Sequence, residues 1–293
     1  MNALIFLVSL MLVQDPEPDW GRQVLGISVA ADSNERSVSK LAEHFKVPES
    51  QVRNAIGSES VIVQRVQYVV EGFVNDLQPF DVIKKIGGND VAGVNSITES
   101  LAQHTPGTPI ELMVLRPAFV ESRIQFEEEL VQVTPVSFYD LTLAPYDVEI
   151  DELTASKIYR RRGCEKDALS IYVVQKDSGE IYQVVRFMCD GWIGLRKVLI
   201  KVDGNETEIS LTREERRKNI IADPAYDWFD RPATDMIDLF KSIESAREIT
   251  VRMSGVDEHQ DYDMDILVQS NIRANRKLIA ALKWRASQES AGK

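Results

Sequence analysis

Residues 77–90, Leu-Gln-Pro-Phe-Asp-Val-Ile-Lys-Lys-Ile-Gly-Gly-Asn-Asp, and 106–117, Pro-Gly-Thr-Pro-Ile-Glu-Leu-Met-Val-Leu-Arg-Pro, decide how the first half of the chain reads. Apolar residues bounded by glycine-rich punctuation predict a strand over Val82–Ile86, a turn at Gly87-Gly88-Asn89-Asp90 and a short helix near 96–103. Ile110, Leu112 and Val114 alternate, so they share the inward face of a last strand. Working outward, 37–45 and 48–56 read as two short helices broken by Val47-Pro48-Glu49-Ser50. Val61-Ile62-Val63 with Val66 reads as a strand, and another at 128–134 closes the domain, which spans 21–136.

The phrase Leu77-x-Pro79-x-Asp81-Val82-Ile83-x-x-Ile86-x-Gly88, followed by Pro106-Gly107 and by Ile110-x-Leu112-x-Val114-Leu115-Arg116, resembles the second half of the PDZ domains of high-temperature-requirement bacterial serine proteases. Phe80 stands where that family has glycine, and Val70-Glu71-Gly72-Phe73 stands where it often has Ser-Pro-Ala. The departure at 70–73 leaves a helix at 73–76 open. The resemblance implies a fold of β-barrel or sandwich type with helices. It also implies binding of a partner protein's extended or C-terminal segment as an added strand. On that reading Leu25-Gly26-Ile27 is the loop whose backbone N–H groups converge on a terminal carboxylate, because glycine lets the amides turn toward one point. Ile27, Ser28 and Val29 form the edge that pairs with the peptide, and Ile97 and Leu101 border the pocket for its last side chain. The protease domain of those relatives has no counterpart in this sequence.

With 34 basic and 46 acidic residues the chain carries a formal charge of −12, which disfavours nucleic acid or an anionic membrane as partner. The runs Arg160-Arg161-Arg162 and Arg213 with Arg216-Arg217-Lys218 are local exceptions, read as solvated helix ends or as contacts to an anionic ligand. Residues 3–13 are apolar except for Ser9, too short to span a bilayer and of the length of a signal h-region. No Lys or Arg precedes the run and no Ala-x-Ala follows it. The expectation is a signal peptide over 1–15, cleaved near 13–15, no membrane span after its removal, and an exported, periplasmic or extracellular bacterial protein. Cys164 and Cys189, the only cysteines, flank a hairpin turning at Asp177-Ser178-Gly179-Glu180. A two-residue loop there would set Cys189 opposite Ala168, so a Cys164–Cys189 disulfide requires Arg162-Gly163-Cys164 to fold back.

After a connecting segment at 137–164, residues 165–288 read as an α+β domain built on one antiparallel sheet. Strands are expected at 169–174, 181–188, 193–202 and 206–211, the third with a bulge near Arg196 that reconciles Ile193 and Leu195 with Val198, Ile200 and Val202. Residues 232–246 form an amphipathic helix with Met236, Leu239, Phe240 and Ile243 inward. A hairpin over 248–254 and 261–268 follows, and then a terminal helix capped by Ser270 that buries Ile272, Ile279 and Leu282.

Catalytic signatures are missing from the sequence. There is no Gly-x-Ser-x-Gly elbow, the histidines are only His44, His104 and His259, and Ser37-Val38-Ser39-Lys40 lacks its companion motifs. His44 and His104 read as solvated surface residues. Asp261, Asp263 and Asp265 have the opening spacing of a calcium loop, but Ile266 and Ile272 stand where that loop needs Gly and Glu, so no metal and no cofactor is expected. Asp223, Asp227, Asp230 and Asp235 around Trp228 and Phe229 lack a partner base and read as a loop pinned by aromatic packing. The sequence therefore points to a non-catalytic exported protein that binds peptide segments. Two rivals are a hydrolase using the 223–235 loop, with PDZ-delivered substrate, and an assembly subunit whose groove is occluded.

Overall fold

The structure is a computed structural model that describes residues 18–29, 33–56, 61–66, 72–105, 107–120, 123–164, 168–212, 214–215, 217–219, 226–264 and 266–291. The signal-peptide stretch lies outside them. The fold is α+β with several antiparallel sheets and a C-terminal helix, and among the described residues no sheet closes into a barrel. The chain divides into two compact units, Met1–Ala144 and Pro145–Lys293.

The first unit comprises β1 (Gln23–Val24), β2 (Ile27–Val29), α1 (Ser33–Phe45), α2 (Glu49–Ile56), β3 (Val61–Val66), β4 (Val82–Ile86), β5 (Asn89–Asp90), α3 (Val94–Leu101), β6 (Ile110–Val120), β7 (Arg123–Val133), β8 (Val136–Ser137) and α4 (Phe138–Leu143). Its main sheet is open, in the order β2-β3-β4-β6-β7 with β5 beside β4, while β1 pairs with β8. Gly87 and Gly88 have φ of 54° and 86°, so the β4–β5 hairpin turns on two left-handed residues, and Asn89–Asp90 is its return strand. Alternation along the strands feeds two apolar layers. Val61, Val63 and Ile83 join Leu112, Val114 and the α3 residues Ile97 and Leu101, whereas Ile62 and Val82 join Val38, Leu41, Val52 and Ile56 of α1 and α2. The segment at 73–76 forms no helix; Asn75 makes an isolated bridge to Val133.

The first unit does not end at 136. Trp20, 2% exposed, stacks on Phe138 at 5.3 Å, and the Phe138 and Tyr139 amides donate to the Arg22 and Trp20 carbonyls. The expected connecting segment at 137–164 is thus structured throughout, with α4 closing the first unit and two strands opening the second.

The second unit comprises β9 (Tyr146–Asp151), β10 (Ser156–Arg161), β11 (Leu169–Lys176), β12 (Ile181–Asp190), β13 (Lys197–Val202), β14 (Asn205–Ser210), β15 (Arg217–Asn219), β16 (Tyr226–Pro232), a 3-10 turn (Ala233–Met236), α5 (Ile237–Ser245), β17 (Ile249–Ser254), β18 (His259–Met264) and α6 (Ile266–Ala291). One sheet was expected; two form, β15-β16-β12-β11-β10-β9 and β14-β13-β17-β18. The chain changes sheets between β12 and β13, where Gly191 and Gly194 have φ of 75° and 64°. Ile193 and Leu195 therefore precede the strand rather than sitting on a bulge within it. Asp227, 3% exposed, pins this crossover by accepting from the Gly194 and Leu195 amides at 2.6 and 3.2 Å. The two sheets share a core in which Leu169, Ile171, Val185, Phe187 and Phe229 meet Val198, Ile200, Val251 and Met253, with Phe240 and Ile243 of α5 added.

β18 stops at Met264 and α6 begins at Ile266, four residues before the expected Ser270 cap. Val268 and Ile272, four apart, are both buried, as helical spacing requires, and further along Leu278 rather than Ile279 is fully enclosed. Residues 177–180 connect β11 to β12, with Gly179 at φ 86° and the Lys176 amide donating to the Glu180 carbonyl.

Candidate functional site

β2 is the end strand of its sheet. Among the described residues it pairs only with β3, through Ile27↔Val66, Ser28↔Arg65 and Val29↔Val63, with a bulge between Ser28 and Val29. Ahead of it Gly26 has φ 64°, a conformation that favours glycine. Asn75 holds the loop from one side, its Nδ2 donating to the Leu25 carbonyl at 3.0 Å and its Oδ1 accepting from the Leu77 amide at 3.3 Å. A Cβ added at Gly26 would lie 3.7 Å from Asn75 Nδ2 and 3.7 Å from Leu141 Cδ1, which is ordinary contact, so φ rather than space selects glycine there.

Leu25, Ile97 and Leu101 lie in one apolar cluster, and half-buried Ile27 and Val29 pack against it. Ile97 and Leu101 are only 8% and 2% exposed, so they form the floor of this face rather than an open pocket wall. The side chain of Ser28 is outside what the structure describes. Asn75, which holds the loop, and Leu141, which lies beside Gly26, carry no motif signal; only the fold brings them there.

Asp81 is fully buried and takes a bidentate contact from Arg116 at 2.9 and 2.8 Å, plus the Gln78 amide at 2.8 Å. Arg116 also reaches Glu129 at 2.5 Å and the Asp76 carbonyl at 3.0 Å. The Asp81 hydrogen bonds hold the Arg116 guanidinium above its ordinary pKa. These two residues of the sequence motif tie the 76–81 loop to β6 and β7.

His44 is exposed, as expected, although its ring lies near two phenylalanines, whereas His104 is half-buried. A Cβ on Gly87 would fall 2.5 Å from His104 Cε1, and His104 Nε2 is buried with no hydrogen-bond partner. His44 sits 5.0 Å from the ring of Phe80 and 4.8 Å from that of Phe45.

The two acidic clusters are structural where they are described. Asp227 pins the sheet crossover, and Asp230 is held bidentately by Arg186 at 2.8 Å, whose guanidinium lies 4.3 Å from the Trp228 ring centroid. Asp223 lies outside the described residues, and Asp235 falls in the 3-10 turn. Asp261 is held by Arg252 at 2.6 and 2.7 Å, which keeps its carboxyl below the usual carboxylate range. Asp263 contacts the Thr250 hydroxyl at 3.3 Å. Among the described residues no group of three His, Cys, Asp or Glu side chains could hold a metal ion.

No disulfide joins Cys164 to Cys189. Leu169↔Phe187 is the last register pair of the β11–β12 ladder, and the buried Cys189 sulfur turns to the Asp227 carbonyl at 3.4 Å. Burial pushes the Cys189 thiol up to about 11. Residues 165–167, between Cys164 and the start of β11, lie outside the described residues, and the Cys189 sulfur is committed to the core.

An open cleft of about 850 Å³ lies between the β13–β14 turn and α5, lined by Asp203, Asn205, Thr207, Thr234, Ser242 and Ser245 among others. Asp203 is occupied, accepting from the Arg247 and Glu248 amides at 2.9 and 3.0 Å. Ser242 and Ser245 donate to carbonyls of their own helix. Among the described residues no histidine, cysteine or lysine lines the cleft; its titratable lining is Asp203 and Asp238.

Among the described residues no helix is long and apolar enough to cross a membrane. No protein-family model and no curated protein matches this chain.

Proposed function

We propose that the first unit is a PDZ-like module that binds an extended or C-terminal peptide segment of a partner protein as an added strand along β2. The observation that carries this reading is the edge position of Ile27–Val29, directly preceded by a glycine at positive φ. An edge strand presents unpaired N–H and C=O groups, and such rows are what strand addition uses. The sequence pattern at 77–117 and the apolar floor of Ile97 and Leu101 beside β2 support the same reading. Because that floor is nearly closed to solvent, the peptide's side chains meet half-buried Ile27 and Val29, and affinity rests chiefly on main-chain pairing and on the carboxylate at the Gly26 loop. The second unit has no assigned role in this reading.

A peptide selected against the full chain tests it through the ligand rather than the fold. N-methylation at alternate positions should weaken binding by about tenfold or more while the intervening positions tolerate it, because successive N–H groups of a strand point to opposite sides. Amidation of the terminal carboxyl should weaken a C-terminal ligand by a similar factor. Equal tolerance at every position overturns strand addition.

We further propose export, from the apolar run at 3–13 followed by Gln14-Asp15-Pro16-Glu17. Protein recovered from its host should begin between residues 14 and 17 by mass spectrometry. An intact Met1 or Asn2 on the recovered protein contradicts it.

A further inference from the structure

The second unit also has a free strand edge, and that edge borders the cleft beside α5. β14 is the end strand of its sheet and pairs only with β13. The Leu211 amide donates to the Arg196 carbonyl one step beyond the strand, so the alternation of the ladder turns the backbone of Asn205, Thr207 and Ile209 toward β13. Glu206 and Glu208 turn theirs to the open side. Among the described residues no hydrogen bond reaches those outward N–H and C=O groups, whereas the next outward carbonyl, that of Ser210, is taken by Arg231 at 3.3 Å. Side chains follow the same period: Ile209, 5% exposed, belongs to the core that α5 shares, and Thr207 and Asn205 stand on its face and line the cleft. Met236, Ile237, Leu239 and Ser242 line it from the 3-10 turn and α5, and its volume of about 850 Å³ falls within the range of ligand clefts, roughly 300–1,000 Å³.

The charge of this groove has one sign. Asp203 spends one carboxylate oxygen on the Arg247 and Glu248 amides and Asp238 spends one on Lys241 at 3.0 Å, which leaves each a second oxygen without a partner among the described residues. No cation lines the cleft among those residues. On the other face of the edge Glu206 and Glu208 are exposed, and their partners Lys201 and Lys197, at 3.8 and 3.2 Å, come from β13 and leave the outer side open. Aliphatic Met236, Ile237 and Leu239 beside two carboxylates suit a side chain with an apolar stem and a cationic head, which describes Lys and Arg. A second copy of β14 fits badly, because antiparallel self-pairing would set Glu206 and Glu208 against the same acidic residues.

We propose that β14 and α5 bind a basic extended segment of a partner protein. The segment adds as a strand beside Glu206 and Glu208, and its Lys or Arg side chains enter the cleft toward Asp203 and Asp238. The site belongs wholly to the second unit and is independent of peptide binding at β2.

The probe is a labelled peptide of alternating lysine and valine, blocked at both ends so that no free carboxylate can serve the Gly26 loop, titrated into the full chain by fluorescence anisotropy. It should bind saturably, and a glutamate–valine counterpart should not. Thr207→Arg and Ser242→Lys, at exposed positions that place a cation in the cleft, should each weaken binding by about tenfold or more. Glu128→Lys, a larger change of net charge on exposed β7 of the first unit, should leave the affinity unchanged. N-methylation of the lysine amides and of the valine amides should differ, one series losing about tenfold or more and the other tolerated, because successive N–H groups of a strand point to opposite sides. Binding that never saturates, that survives both cleft variants, that falls as far in Glu128→Lys, or that tolerates both methylated series overturns the proposal. Dimerisation of the unaltered protein that Thr207→Arg abolishes would seat a second copy at β14 and overturns it as well. Should one cleft variant fail to fold, the other decides.

Discussion

At the scale of single residues, the motif at 77–117 splits into side chains whose roles were visible and others whose roles were not. Leu112 and Val114 alternate in the sequence and share one buried face, as a period of two requires, whereas Val82 and Ile83 feed opposite layers and a register shift between Ile83 and Lys85 returns Ile86 to the side of Ile83. Asp81 and Arg116 were legible only as parts of a pattern; that they form a buried ion pair across 35 residues depends on β4 and β6 being neighbours. Since removing one partner leaves the other charge buried, Arg116→Met should cost roughly 3 kcal/mol in a urea titration of the first unit, the low end for a broken buried pair because Arg116 keeps 19% exposure. The double change with Asp81→Asn should recover part of the loss, and a cost below about 0.5 kcal/mol for Arg116→Met would assign the pair no structural role. Gly255 was silent in the sequence, yet a Cβ there would stand 1.9 Å from the Ile193 carbonyl oxygen, so backbone approach alone demands glycine. The reverse error occurred at His104, whose polar character suggested solvent although it packs on Gly87.

At the scale of elements, strands and helices with strong periodicity were readable, and the points where the chain changes partner were not. Ile193 and Leu195 share one phase and Val198, Ile200 and Val202 the other, which a bulge could explain as well as a change of sheet. The distinction rests on Asp227, remote in sequence, capping the crossover amides. Likewise Tyr262, Met264, Ile266 and Val268 alternate through the start of α6, so a strand pattern ran on into a helix until the Val268–Ile272 spacing broke it. The close of the first unit was also hidden, because β1 and β8 are two-residue strands whose pairing joins residues more than a hundred positions apart. A fragment from residue 16 to 144 should therefore unfold cooperatively, and one ending at 136 should be less stable by about 3 kcal/mol or more. It loses Phe138, which is 8% exposed and stacked on Trp20, and burial of an aromatic of that size is worth that much. Equal urea midpoints and slopes for the two fragments would contradict the role given to α4 and β8.

For the whole molecule, the α+β class and a chain of two compact units follow from strands and helices interspersed along a length too great for one small core. The acidic balance, a formal charge of −12, bears on partners and not on fold. The candidate peptide edge was legible in the sequence only through its resemblance, since Leu25-Gly26-Ile27 is too short a pattern to specify a strand end by itself. What the fold adds is its position: β2 ends the sheet, next to a glycine at φ 64° and above the floor made by Ile97 and Leu101. Amide hydrogen exchange of the full chain with and without a bound peptide reads that edge directly. The account predicts new protection at the amides of 26–29, at least about tenfold for those pointing away from β3, with little change at the opposite edge strand β7. Protection confined to the second unit, or to β7, or absent from 26–29 while the peptide remains bound, would contradict strand addition at β2.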